Sequence, residues 1–334
     1  MASNDQHKTD VTRKYVENHK DMQTRTLARL LTKDWPEHFH SLENARCAVR
    51  RHRGNIGDTA RKKHNSHKEN FKPNGKAGEV VKLPKSKYKE WEPFEINHKR
   101  NLILADIHIP YHDDKALSAA LKFADGYKPD AIILDGDIAD FFSISRFNKN
   151  PKLRDLPGEI IAVKQFLDHI KERFSAKVYY KLGNHEERYE HYLWQRAEEL
   201  LGVKEFELKN LLMFDDSGVV AIEDQRIINL GQLPILHGHE FIRGVFSPVN
   251  AARGLFLKAK HSCMGAHQHH TSEHTEKTLS GKIISCWSVG CLCGLSPDWA
   301  HINRWNHGFA TVDVRANGDY YVNNYRILNG RVLN

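Results

Sequence analysis

Seven residues that can bind metal ions stand directly after short apolar segments of the sequence. They are Asp106, His108, Asp137, Asn184, His237, His267 and His269. Each apolar segment is predicted to be a strand, and loops that leave the carboxyl edge of a sheet bring distant side chains together. Carboxylate, amide and imidazole groups suit manganese, iron or zinc. The motifs therefore predict a metal centre at one edge of a sheet.

The first motif pairs Asp106 with His108, and the second places Gly136 before Asp137. In an extended segment residues i and i+2 point to the same side, so Asp106 and His108 can bind one cation together. Gly136 permits a close approach of the backbone and leaves the carboxylate of Asp137 projecting into the cleft. A single carboxylate can bridge two cations, and Asp137 is predicted to have that role.

The third and fourth motifs add groups that can act on protons. Asn184 offers a neutral oxygen ligand, whereas His185 beside it need not bind metal and can transfer protons. We expect Glu186 to orient His185. We also expect His239, two residues after His237, to assist catalysis or to contact the substrate. His185, Glu186 and His239 are therefore the predicted catalytic residues.

Short apolar segments that alternate with amphipathic stretches from residue 98 onward predict a layered α/β domain. The strands that carry the motifs are predicted at Leu102–Ala105, Ala131–Leu134, Val178–Lys181, Pro234–His237 and Ser262–Gly265. Helices are predicted at Lys115–Gly126, Gly158–Phe174, Glu186–Leu201 and Pro248–Lys258. Further strands at Lys282–Val289, Phe309–Val314 and Tyr320–Ile327 favour a second sheet packed against the first.

The five motifs, Asp-x-His, Gly-Asp, Gly-Asn-His, His-Gly and a final His-x-His, resemble the blocks of the calcineurin-like metallophosphoesterase superfamily over residues about 100–270. The resemblance implies a four-layer αββα sandwich of two packed sheets. It also implies one metal held by Asp106, His108, Asp137 and His269, and another held by Asp137, Asn184, His237 and His267. The tail over residues 287–312 is similar to phosphoesterases of bacteriophages and bacteria. Two positions depart from the family pattern, namely Ala266 before the last block and Glu186 in place of aspartate.

A dinuclear centre of this kind is expected to hydrolyse phosphodiester bonds. Two cations roughly 3.5–4 Å apart can share a bridging hydroxide that attacks phosphorus in line with the leaving oxygen. His185 is then the predicted proton donor to that oxygen. Manganese is the first expectation for both cations, and iron, zinc or nickel also fit the ligands.

The net charge of +8 is distributed unevenly along the chain. Residues 1–100 contain 23 Lys and Arg against 13 Asp and Glu, a net of +10, whereas residues 101–334 contain 27 against 29, a net of −2. Such a basic segment suggests an anionic partner, and nucleic acid is the first candidate.

The basic segment has a helical pattern of its own. Helices are predicted over Thr24–Lys33 and Leu42–His52, joined by a Trp-Pro turn, with Ser41 as the N-cap of the second. Arg46, Arg50 and Arg53 share a face of that second helix and are predicted to contact nucleic acid. The alternative is a small helical domain whose solvated face is basic. The predicted organisation is therefore a helix-turn-helix-like domain over 1–56, a basic flexible linker over 57–97 and the metallophosphoesterase domain over 98–334.

The start of the chain is polar, and the sequence has no apolar run of the roughly 18 residues that span a bilayer. We therefore expect no membrane partner and a cytoplasmic location, in a bacterial cell or a phage-infected host. The oligomeric state is not predicted by any pattern. Three functions follow from the motifs: a nuclease acting on DNA or RNA; a phosphatase or phosphodiesterase of small molecules or phosphoproteins; and a non-catalytic nucleic-acid-binding protein.

Overall fold

The computed structural model describes residues 2–54, 87–88, 90–147, 150–241 and 249–334. The chain divides into two compact units, Met1–Tyr88 and Lys89–Asn334. In the first unit the described residues form the helices α1 (Ala2–Asn18), α2 (Thr24–Asp34) and α3 (Leu42–His52). The helices predicted over Thr24–Lys33 and Leu42–His52 are confirmed, and Ser41 caps α3 by accepting a hydrogen bond from the Asn44 amide at 3.2 Å.

Helix α1 has no counterpart among the predicted elements. Its sequence is polar over most of its length, and it contributes Val11, with the partly buried Tyr15 and Val16, to the core of the unit. That core is otherwise built from α2 and α3 and from Phe39 in the loop between them. The apolar stripe of α1 is too narrow to predict a helix by periodicity, and tertiary packing supplies the stability that the local sequence does not.

The second unit contains two sheets. The larger comprises β2 (Arg100–Leu104), β3 (Ala131–Asp135), β4 (Lys177–Lys181), β5 (Val219–Ile222), β11 (His307–Val314), β12 (Tyr320–Leu328) and β13 (Arg331–Leu333), in the order β13-β12-β11-β2-β3-β4-β5. The smaller comprises β1 (Phe94–Ile96), β6 (Ile228–Leu230), β7 (Leu233–Leu236), β8 (Cys263–Gly265), β9 (Ser272–Lys277) and β10 (Ile283–Ser288), in the order β1-β6-β7-β8-β10-β9. Strands β2 to β5 are parallel, as are β7 and β8.

The two sheets pack face to face through apolar side chains. Ile103 and Ile133 of the larger sheet pack in one buried cluster with Ile235 and Met264 of the smaller. The alternate residues of the same strands, such as Leu104 on β2, face a second cluster on the other side. Because both faces of these strands are buried, their sequences are continuous apolar runs.

Helices cover the outer faces of both sheets. The larger sheet is covered by α4 (Asp114–Tyr127), α5 (Leu156–Arg173), α6 (Asn184–Arg196), α7 (Leu208–Leu211) and α8 (Phe214–Ser217). The smaller sheet is covered by α9 (Ala251–Ala259). Short 3-10 turns lie at Phe142–Ile144, Pro151–Leu153, Glu198–Leu200 and Lys204–Phe206. The predicted αββα sandwich is thus confirmed. Among the described helices, none combines the length and the apolar composition that a membrane span requires.

The boundary between linker and catalytic domain differs from the prediction. Strand β1 lies inside the predicted linker over 57–97, and it pairs in parallel with β6 through Phe94 and Ile228. The rest of that linker, up to residue 86, lies outside the described residues. Strands β1, β5, β6, β9 and β13 were not predicted. Most of them have only three or four residues, too few for a pattern to show.

Candidate metal centre

The five motifs lie where strands of the two sheets end. Asp106 follows β2, Asp137 follows β3 and Asn184 begins α6 after β4, while His237 and His267 follow β7 and β8. Parallel strands of one sheet end at the same edge, so the first three motifs come together, and so do the last two. The packing of the two sheets then brings both sets into contact.

A first cluster surrounds one oxygen of Asp106. The Oδ1 atom lies 3.2 Å from His269 Nε2 and 4.0 Å from His108 Nε2. The two imidazole nitrogens are 3.2 Å apart, and His108 Nε2 is also 3.9 Å from Asp137 Oδ2. The four groups that were predicted to hold one metal therefore face a common point.

A second cluster shares Asp137 with the first. Asp137 Oδ2 lies 3.3 Å from His237 Nε2, and the ligand atoms of Asp137, His237 and His267 all lie within 4.8 Å of one another. The side-chain oxygen of Asn184, at the start of α6, is buried and has no hydrogen-bond partner among the described residues. Asp137 Oδ2 thus lies within 4 Å of an imidazole nitrogen in each cluster, as the predicted bridge requires.

Several buried atoms of these clusters make no hydrogen bond to any part of the chain that the structure describes. They include Asp106 Oδ1, Asn184 Oδ1 and His237 Nε2. A buried polar atom without a partner costs about 1–3 kcal/mol. Bound cations would remove that cost at each of these atoms. The residues present therefore fit two divalent metal ions.

The backbone of the motifs is strained where ligands project. Asp106, His108, Asp137, His267 and His269 all have positive φ angles, between 50° and 65°. This left-handed conformation costs about 1–3 kcal/mol for a residue with a side chain and is concentrated at functional sites. Gly136, with φ +82°, is required for a further reason, because a Cβ there would lie 2.5 Å from His237 Nδ1.

The carboxylate and imidazole groups of the clusters shift one another's pKa values. Burial acts to raise the pKa of Asp137, but His185 and His237 outweigh it and hold that pKa well below its usual range. Burial lowers the pKa of His267 to about 4, with a further contribution from His237. Asp137 is therefore ionised and His267 neutral at pH 7, whereas the neighbouring carboxylates outweigh burial and raise the pKa of His237 and of His269, so a metal would displace protons from these two imidazoles.

Residues 99–284 match the family described as calcineurin-like phosphoesterase. The chain belongs to the calcineurin-like phosphoesterase family. This family depends on a dinuclear metal centre, and the clusters around Asp137 are the candidate residues for it in this phosphoesterase.

Two relatives of this phosphoesterase are phage proteins. The Gene 54 protein of Mycobacterium phage L5 is 29% identical over 228 residues, which cover 65% of this chain and 89% of the relative. The Gene 54 protein of Mycobacterium phage D29 is 31% identical over 146 residues, or 42% of this chain and 57% of the relative. Among solved structures, a dimetal phosphatase from Danio rerio aligns with a TM-score of 0.38 and 12% identity, covering 70% of this chain and 98% of that one.

His185 of the phosphoesterase lies beside the shared carboxylate, with Nε2 3.7 Å from Asp137 Oδ2. Its Nδ1 lies 2.9 Å from the Asp140 carbonyl oxygen and 3.5 Å from Asp140 Oδ2. The same Oδ2 lies 3.0 Å from His108 Nδ1, so Asp140 orients both a candidate ligand and the predicted proton donor. Arg188, one helical turn after His185, places Nη2 2.8 Å from His185 Nε2. Neither Asp140 nor Arg188 was predicted, although both follow their motifs by three residues.

Glu186 does not orient His185, contrary to the expectation from the sequence. Its Oε2 accepts hydrogen bonds from the amides of Asp137 and Gly183, and its Oε1 accepts them from two more amides and from the Tyr180 hydroxyl, at distances between 2.8 and 3.0 Å. The first turn of α6 directs this carboxylate back towards the backbone that precedes the helix. Glu186 therefore supports the loop that carries Asp137.

His239 lies next to the second cluster, with its ring centre 5.3 Å from that of His237. Its Nε2 is 3.0 Å from Glu187 Oε1. This position is compatible with its predicted role near the substrate, which stays a prediction. Glu187 was not among the predicted residues.

A buried ion pair supports the loop that carries His237. Glu240 accepts hydrogen bonds from the amides of His237 at 2.9 Å and Gly238 at 2.6 Å. Its Oε1 also lies 2.8 Å from Lys181 Nζ, and Lys181 is completely buried at the end of β4. The pair joins the end of β4 to the loop after β7. Nothing in the motifs predicted it.

The predicted arginine row lies in the first unit, on and just after α3. Arg53 donates to the carbonyl oxygens of His19 and Met22 and to the Thr24 hydroxyl, at 3.2, 2.6 and 3.0 Å. It therefore stabilises the connection between α1 and α2. Arg46 pairs with Glu43 at 2.5 Å. Arg50 lies in the basic last turn of α3 with Arg51 and His52.

Proposed function

We propose that this phosphoesterase is a nuclease that hydrolyses phosphodiester bonds of DNA or RNA. The observation that supports the proposal is the concentration of positive charge in residues 1–100, net +10, beside a nearly neutral catalytic part. In the described part of this segment, Arg50 and the exposed Arg51 extend the charge at the end of α3. Such a segment would bind a polyanion through electrostatic contacts, whose contribution to the affinity falls steeply as the salt concentration rises.

The metal ions of this proposal are two divalent cations, with manganese as the first candidate and iron, zinc or nickel as the others. Asp106, His108, Asp137 and His269 would hold one, and Asp137, Asn184, His237 and His267 the other. When bound, such metals polarise the phosphoryl group and lower the pKa of water. Mixed oxygen and nitrogen donors of this kind do not select one of these metals by affinity alone.

The residues around the centre would handle the leaving group. His185 Nδ1 donates to the Asp140 carbonyl oxygen and its Nε2 accepts from Arg188, so Nε2 would give a proton to the leaving oxygen once Arg188 turns to the phosphate and the imidazole is protonated. Arg188 places a permanent positive charge beside the same atom, where it would favour binding of the substrate's phosphate group. His239 would contact the substrate on the other side of His237.

A substrate panel tests the proposal. The full chain, loaded with Mn²⁺, would be incubated with single-stranded and double-stranded DNA, with RNA and with p-nitrophenyl phosphate, beside an Asp137→Asn variant. We expect cleavage of a nucleic acid by the wild type and its loss in the variant. Hydrolysis of the monoester alone would replace the nuclease by a phosphatase. Salt-dependent binding of DNA with no hydrolysis of any ester would indicate a non-catalytic protein.

The role of the basic segment has its own test in the full chain. Replacing Arg50 and Arg51 by alanine should raise KM for an oligonucleotide and reduce its dependence on salt, while leaving p-nitrophenyl phosphate hydrolysis unchanged. The matched control replaces Arg326 and Arg331, two exposed arginines at the far edge of the larger sheet. Equal effects of the two double variants on KM would remove the basis of the proposal, because net charge alone would then explain both.

A further inference from the structure

A row of aromatic rings leads from the metal centre to solvent. The ring of Trp305 lies 4.1 Å, centre to centre, from that of the candidate ligand His269. The ring of Trp299 lies 5.4 Å from that of Trp305, edge to face. Trp299 itself is 77% exposed. No residue of this row has a role in the chemistry described above other than His269.

The loop that carries the row is held in place by its own hydrogen bonds. The side chain of Asn303 donates to the carbonyl oxygens of Leu295 and Ala300, both at 2.7 Å, and accepts from the Trp305 amide at 2.8 Å. The Asn306 amide donates to the His269 carbonyl oxygen at 2.9 Å, which fastens the loop to the metal centre. The exposure of Trp299 is therefore a property of an ordered loop.

The surroundings of the row are aromatic and cationic. The backbone carbonyl oxygen of Tyr111 accepts a hydrogen bond from the Gly294 amide at the start of the loop. Tyr111 is 45% exposed, and its ring packs against Phe142 at 5.8 Å between ring centres. Arg304 is exposed and directly precedes Trp305. Flat rings beside a guanidinium group are the combination that binds single-stranded nucleic acid, because bases stack on the rings while the cation meets the phosphates.

We infer that Trp299 and Trp305 form a stacking platform for an unpaired nucleobase next to the scissile phosphate, and that the substrate is single-stranded nucleic acid. This inference rests on the proposed nuclease function and names the form of its substrate. The faces of bases in a duplex are covered by their neighbours, so a duplex offers no unstacked base to these rings. The contact of Trp305 with His269 places the platform at the reaction centre itself.

The test compares two single strands of equal charge, a thymidine decamer and a decamer of abasic residues, with Mn²⁺-loaded full-length protein. Stacking contributes about 1–3 kcal/mol per base, so KM for the thymidine decamer should rise about fivefold to 150-fold in Trp299→Ala. KM for the abasic decamer should not change. Trp299→Phe keeps a ring and should recover most of the difference. Trp194→Ala removes a tryptophan of similar exposure, 54%, from α6 and serves as the control.

An unchanged KM of Trp299→Ala for the thymidine decamer, with nucleic acid still cleaved, would overturn the inference and leave the nuclease proposal standing. A wild-type protein that hydrolyses bis(p-nitrophenyl) phosphate but no nucleic acid would instead overturn the nuclease proposal. In that case fluorescence anisotropy with labelled decamers decides the inference. A preference for thymidine over abasic residues that is lost in Trp299→Ala supports the platform, and an equal preference in both proteins rejects it.

Discussion

Replacing Glu240 by glutamine tests the contribution of the buried ion pair between Lys181 and Glu240. Lys181 is completely buried, and its Nζ has Glu240 Oε1 and the Arg226 carbonyl oxygen as partners, each at 2.8 Å. Glu240→Gln keeps the shape of the side chain but leaves the ammonium group without its counter-charge. Removing one partner of a buried pair costs about 3–5 kcal/mol, because the other charge remains buried and uncompensated.

We expect the free energy of unfolding to fall by about 3 kcal/mol in Glu240→Gln, since the glutamine oxygen can still accept one hydrogen bond. The assay is urea denaturation of the metal-free protein, followed by tryptophan fluorescence. Metal content after dialysis against Mn²⁺ should fall as well, because Glu240 also fixes the amides of His237 and Gly238.

Two further variants make the result decisive. Glu207→Gln breaks the exposed pair with Lys209, 3.2 Å apart, and should change stability by less than about 1 kcal/mol. Lys181→Met combined with Glu240→Gln removes the buried, unpaired ammonium group and should recover much of the lost stability. If Glu240→Gln is no less stable than Glu207→Gln, the buried pair does not stabilise the fold.

Three further outcomes can be measured. Asp140→Asn should lower kcat/KM or Mn²⁺ affinity about 10-fold to 100-fold, because Asp140 orients one candidate ligand from outside the centre. Gly136→Ala should be less stable in urea than Gly202→Ala; both glycines have φ above +80°, but a Cβ at Gly202 meets no described atom within 4 Å. Burial raises the pKa of Asp135 to about 7. Between about pH 4 and 7 the unfolded chain therefore binds fewer protons than the folded chain. As the pH rises over this range, the free energy of unfolding of the metal-free wild type should fall by up to about 4 kcal/mol more than that of Asp135→Asn.

The positions of the candidate ligands could be predicted because they depend on a local property of the chain. Each motif follows an apolar run, and runs buried on both faces, such as Ala131–Asp135, are the strands of a parallel sheet. Parallel strands leave one edge for all the loops that follow them. The apolar runs therefore predict the positions of both the strand ends and the candidate ligands.

The supporting residues could not be predicted in this way, because their role depends on direction and on distant partners. Glu186 has the charge to orient His185, but its place in the first turn of α6 directs it to the amides before the helix. Lys181 ends β4 of the larger sheet, Glu240 lies in the loop after β7 of the smaller sheet, and neither residue is unusual within its own segment. Helix α1 could not be predicted for the same reason, because its few apolar residues form a core only by packing against α2 and α3.

The carboxylates of Asp106 and Asp137 connect the motifs to one another by accepting hydrogen bonds from backbone amides. Asp106 uses Oδ2 to accept the His267 amide at 2.9 Å, and Asp137 uses Oδ1 to accept the His185 amide at 2.9 Å. In each case one oxygen fixes the loop of another motif, while the other oxygen faces the imidazoles of the clusters. These carboxylate–amide contacts connect the strained loops to one another. Metal affinity should therefore depend on these backbone contacts as well as on the ligands themselves.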